Sequence, residues 1–82
     1  MTDASTLAGG DRRRPVWNDE VFRERTKALG ARNDRERCAV AGLSKASLRR
    51  WRMGSAPSLG VLGVVAGRLG VGISDLIREE VA

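Results

Sequence analysis

The stretch from Asn33 to Gly54, NDRERCAVAGLSKASLRRWRMG, decides the fold. Asn33 and Glu36 stand at capping-box spacing, Cys38, Ala41 and Val40 can then face inward on one helix, and Gly42 stops it. Leu43 leads to Ser44, a good N-cap, after which Leu48 and Trp51 recur at the spacing of a buried helical face. Lys45, Arg49, Arg50 and Arg52 fall outside or at the margin of that face, and Gly54 closes the segment. The stretch therefore reads as two short helices meeting at a glycine corner, the second cationic on the side turned away from a core.

The flanks supply three more helices. Upstream, Asn18 caps a helix that runs to about Leu29, with Asp19 and Glu20 at the positive end of its dipole and Trp17 and Phe22 in the positions of a hydrophobic staple. Gly30 ends it, and Phe22, Thr26 and Leu29 form its inner face with Val21 alongside. Downstream, Ser55 to Ser58 make a turn, and Ser58 caps a fourth helix through Leu59, Leu62, Val65, Ala66 and Leu69. Gly70 stops that helix, and a last one is expected from Ile73 to about Glu80 with Leu76 and Ile77 inward. Residues 1–15, small, polar and rich in Gly and Arg, read as a flexible basic arm, leaving 16–82 as one domain. The expected architecture is all-α, a compact five-helix bundle.

Charge narrows the partner. The 82 residues carry a formal charge of +5, which favours a polyanion. Between Glu36 and Asp75 there is no acidic residue, whereas Arg37, Lys45, Arg49, Arg50, Arg52 and Arg68 lie there, four of them within eight positions. A cationic helix presented by a helical corner is what entry into the DNA major groove requires. Trp51, three residues after Leu48, reads as core rather than as a base-stacking platform.

Other classes are poorly served. The chain has no histidine, no tyrosine and one cysteine, so no nucleophile and base pair, disulfide or metal site can be assembled, and neither an enzyme nor a cofactor is expected. Cys38 reads as a small core residue. No apolar run is long enough to span a bilayer and Met1 to Gly10 lacks the pattern of a secretion signal, so a cytoplasmic protein with no membrane partner and no small-molecule substrate is expected.

The segments GLSKASLRRWRMG and APSLGVLGVVAGRLGVGISDLI resemble the Cro/C1-type (XRE-like) helix-turn-helix domain of phage repressors and small bacterial transcription regulators, over about Asn33 to Ile77. Asp34, Arg37 and Cys38 depart from the family pattern, which more often has glutamine, an apolar residue and alanine there. The resemblance implies the lambda-repressor-like bundle and a transcription regulator, a repressor, bound to double-stranded DNA. It turns Lys45, Ala46, Arg49 and Arg50 toward the major groove, where arginine can pair with guanine O6 and N7 and Ala46 can touch a thymine methyl. Ser44, Ser47, Arg52, Arg35 and Ser58 are then expected on phosphates, and Arg12, Arg13 and Arg14 in an adjacent minor groove.

One such domain buries little surface on DNA, so a homodimer on an inverted repeat, with half-sites about 34 Å apart, is expected, with assembly only on DNA as the alternative. The expected seam runs along the fourth and fifth helices through Val61, Val64, Ile77 and Val81. Gly60, Gly63 and Gly67 in the fourth helix fit either a close dimer seam or the residue usage of a GC-rich genome. The rival class is a protein-interaction module, such as an antitoxin or a small phage protein that binds a host regulator through the Val61 and Val64 surface.

Overall fold

Helix starts are set by side-chain caps at the expected positions. In the computed structural model, which describes residues 13–81, Asn18 accepts from the Val21 amide, Asn33 from Glu36, Ser44 from Ser47 and Ser58 from Val61. These caps open α1 (Asp19–Ala28), α2 (Asp34–Ala41), α3 (Lys45–Arg52) and α4 (Leu59–Leu69). The capping box at α2 is only half formed. Glu36 reaches back one residue further than expected, to the Arg32 amide at 2.7 Å. At the corner between α2 and α3, Gly42 has φ of 74° and donates to the Cys38 carbonyl at 2.8 Å, a left-handed stop that glycine adopts without a Cβ penalty.

The expected five-helix, all-α bundle is corrected at both flanks. Among the described residues there are four α-helices and a two-stranded antiparallel sheet, in which β1 (Arg13–Trp17) pairs with β2 (Ile77–Val81). The expected last helix is a 3-10 turn, Ile73–Leu76, that passes directly into β2. Beyond Ile77 the Arg78-Glu79-Glu80 run offers a helix no apolar residue, and both Ile77 and Val81 are β-branched, so an extended partner wins. That partner comes from the expected arm, in which Arg13, Arg14 and Pro15 form a strand. Trp17 lies opposite Ile77 and Arg14 opposite Glu80, so an apolar pair and an oppositely charged pair specify the register. Pro15, with no N–H to donate, is tolerated because each strand of a two-stranded sheet has an open edge.

The sheet closes the core rather than decorating it. Trp17, 4% exposed, stacks at a tilt against Phe22 and Trp51 with ring centroids 5.2 and 4.9 Å away, aromatic geometry worth about 0.5–1.5 kcal/mol per pair beyond burial. Cys38, Ala41, Leu48, Leu62, Val65, Ala66, Leu69 and Leu76 complete the cluster. Thr26 is fully buried, its hydroxyl donating to the Phe22 carbonyl at 2.7 Å. Leu29 and Leu59, expected inside, are exposed, and Ala31 is buried in their stead. Each exposed leucine sits at a helix end, where the buried face runs out.

Candidate nucleic-acid interface

Ser44 begins α3 by accepting from the Ser47 amide, and its hydroxyl also meets that of Ser47 at 3.0 Å. Ser47 in turn accepts from the Arg50 guanidinium at 3.3 Å. The inner face is spent on Leu48 and Trp51, 1% and 7% exposed, so helical spacing turns the rest outward. Lys45, Ala46, Arg49 and Arg50 are all exposed. Among the described residues, Lys45 and Arg49 make no ion pair. A shallow concavity beside these side chains is lined also by Asp34, Leu48, Arg52 and Met53. Met53, 80% exposed, is an apolar member of this surface for which helical spacing gave no signal, because it is the C-cap residue.

Arg52, expected on a phosphate, is held by two carboxylates. Its Nε donates to Asp19 at 2.8 Å, and its two terminal nitrogens donate to the two oxygens of Asp34 at 2.7 and 3.2 Å. Asp19 also accepts from the Trp17 indole at 3.2 Å and from Arg23 at 2.6 Å, and Asp34 from Arg37 at 2.7 Å. The absence of acids between Glu36 and Asp75 holds for local neighbours only; the partners of Arg52 come from outside that interval, at the starts of α1 and α2. A clue was present in the sequence: both aspartates occupy first helical positions, where a carboxylate is favoured.

The network sets protonation. Hydrogen bonds from Arg52, with a smaller contribution from Arg37, outweigh burial and hold the Asp34 carboxyl at about 2. Burial pushes the Asp19 carboxyl up, but the hydrogen bonds from Arg52 and Arg23 together prevail and leave it below its ordinary value. The Arg52 guanidinium is shifted upward, chiefly by its hydrogen bonds to Asp34. Burial, reinforced by the Asp34 charge, raises the Cys38 thiol, which favours the inert thiol.

Arg35 and Ser58 are exposed, and Ser58 is occupied as the cap of α4. Arg13 and Arg14 are the first residues of β1, whereas Arg12 lies outside the described residues. Arg14 lines a second concavity with Val16, Trp51, Met53, Gly54, Arg78 and Glu80, so this face of the sheet adjoins the C-terminal end of α3. Arg78, paired with Glu80 at 3.1 Å, was assigned to a helix by local pattern and could not have been placed there without the strand pairing. On α4, Val61 and Val64 are 40% and 55% exposed, while Ile77 and Val81, expected to share a helical seam with them, belong to β2.

Among the described residues no helix is long and apolar enough to cross a membrane, and no group of three or more Cys, Asp or Glu side chains is placed to hold a metal ion. Comparison of the chain with protein-family models, with curated proteins and with solved structures found no match.

Proposed function

We propose that this chain is a sequence-specific double-stranded DNA-binding transcription regulator, a repressor acting in the cytoplasm that occupies an inverted-repeat operator as a homodimer through α3. The observation that carries the reading is the outer face of α3, where Lys45, Ala46, Arg49 and Arg50 are exposed together on a helix with no acidic residue. Arg49 and Arg50 supply the planar donor forks suited to guanine, so a half-site containing G·C pairs is expected. Ser44 and Ser47 flank them for phosphate contact, and Arg14, read as part of a minor-groove arm, lines a concavity with the C-terminal end of α3 and is a further cation for the DNA backbone.

Selection of bound duplexes from a random pool tests the reading. The expected result is an enriched inverted repeat whose binding is abolished when Lys45, Arg49 and Arg50 are all changed to Ala. Undiminished affinity in that triple variant overturns the proposal. A second reading, a protein-interaction module, is favoured by the exposed Leu59, Val61 and Val64 on α4, and would be supported by partner binding that survives the same triple substitution.

A further inference from the structure

Arg52 is the last residue of α3, and Asp34 and Asp19 are the first residues of α2 and α1. One guanidinium thus joins three helix ends. Each group also stands where its charge suits its own helix dipole, the cation at a C-terminus and the anions at N-termini. Asp34 and Arg52 are moreover the two outer ends of the unit formed by α2, the Gly42 corner and α3. Their two-pronged pair, at 2.7 and 3.2 Å, ties the mouth of that unit shut, and the 2.8 Å contact with Asp19 fastens it to α1.

The core alone leaves α3 a degree of freedom. Its buried side chains, Leu48 and Trp51, lie within one helical turn, so they act as a pivot about which the helix can tilt. An eight-residue helix is about 12 Å long, and a tilt of about 10° about a pivot between Leu48 and Trp51 carries the end at Lys45 by about 1 Å. A two-bond contact to a base edge does not survive that displacement. A fork held by carboxylates from two other helices removes the tilt.

We infer that Arg52 is a positioning residue, which holds α3 at the angle where Lys45, Arg49 and Arg50 reach base edges and makes no contact with DNA itself. The inference rests on the DNA-binding reading above. It reverses an electrostatic expectation: Asp34→Asn removes a negative charge beside a polyanion and frees Arg52, which on charge alone strengthens binding, whereas loss of the tie weakens it.

The test measures binding of the full chain and its Arg52→Gln, Asp34→Asn and doubly substituted variants to the duplex recovered by selection, with circular dichroism and thermal unfolding confirming the fold. Each single substitution is expected to weaken binding by about 5- to 150-fold, the worth of one base contact. The double variant loses no more than the worse single one, and the dependence of log affinity on log salt keeps its slope. Should Arg52→Gln fail to fold, Arg52→Lys, which meets one carboxylate at a time, is expected to give an intermediate loss at unchanged slope. The inference is overturned if these variants bind as tightly as the parent, if Asp34→Asn binds more tightly, or if the slope falls by about 0.9 on loss of Arg52, the mark of a phosphate contact. A parent chain with no sequence preference, unaffected by substitution of Arg49 and Arg50, would instead sink the DNA-binding reading.

Discussion

Gly42→Ala and Gly63→Ala are the same chemical change with opposite expected signs. Gly42 sits at φ of 74°, where an L side chain costs about 1–2 kcal/mol, and an added Cβ would lie 2.6 Å from the Arg68 Nε. Arg68 is exposed and its far end can swing aside, so backbone strain supplies most of the cost. For a domain of this size that is a fall in Tm of about 4–16 °C. Gly63 lies inside α4, where a Cβ would meet only the Ile73 Cδ1 at 4.0 Å, an ordinary contact. Alanine there stabilises by about 0.5–1 kcal/mol through reduced backbone entropy in the unfolded chain. Thermal unfolding followed by circular dichroism at 222 nm, the usual helix band, reads both, with two controls at the corner. Gly42→Asn should cost less than Gly42→Ala, because asparagine tolerates the left-handed region. In an Arg68→Ala background most of the Gly42→Ala loss should persist. Full rescue by Arg68→Ala, or no loss at Gly42, would refute the backbone argument.

Arg50→Ala is expected to cost about 1–3 kcal/mol on the selected duplex and to relax preference at one base position, measured by fluorescence anisotropy on a panel of single-base variants. Asp34, depressed from 3.8 to about 2, contributes stability that is complete above about pH 4 and lost as pH falls through about 2. The gap sets a ceiling of about 2 kcal/mol, which solvent screening of a side chain 39% exposed reduces to about 1 kcal/mol. Urea unfolding between about pH 5 and pH 2 should show this loss, and Arg52→Gln should flatten it; an equally steep acid limb in that variant would count against the network. Val61→Ser with Val64→Ser should leave the stability to unfolding within about 0.5 kcal/mol of the parent, and analytical ultracentrifugation should show weaker self-association if these exposed valines form the seam.

The helical part of this fold was legible because each helix is bounded by local chemistry. Asn18, Asn33, Ser44 and Ser58 cap where they were expected to, and Phe22, Cys38, Leu48 and Leu62 bury as their spacing requires. The sheet was not legible. Neither Arg13–Trp17 nor Ile77–Val81 shows alternation long enough to announce a strand, and each exists through pairing with the other across the whole described chain. Composition misled at Arg14, part of an arginine run that suggests disorder until Glu80 is brought opposite it. Arg52 illustrates the same limit at the site. Its charge and its position at the helix margin were plain, but whether it faces a phosphate or a carboxylate depends on where Asp19 and Asp34 arrive in space.

The pairing of β1 with β2 also bears on how the chain reaches this state. Every helix can begin from neighbours in sequence, whereas the ribbon must bring together segments about 60 residues apart, the costliest loop closure among the described residues. It is therefore expected to zip late and to open early. The amides of Arg14 and Arg78 would then exchange with solvent well before that of Leu48, and each such opening would lift Trp17 from its neighbours while the helical corner stays assembled.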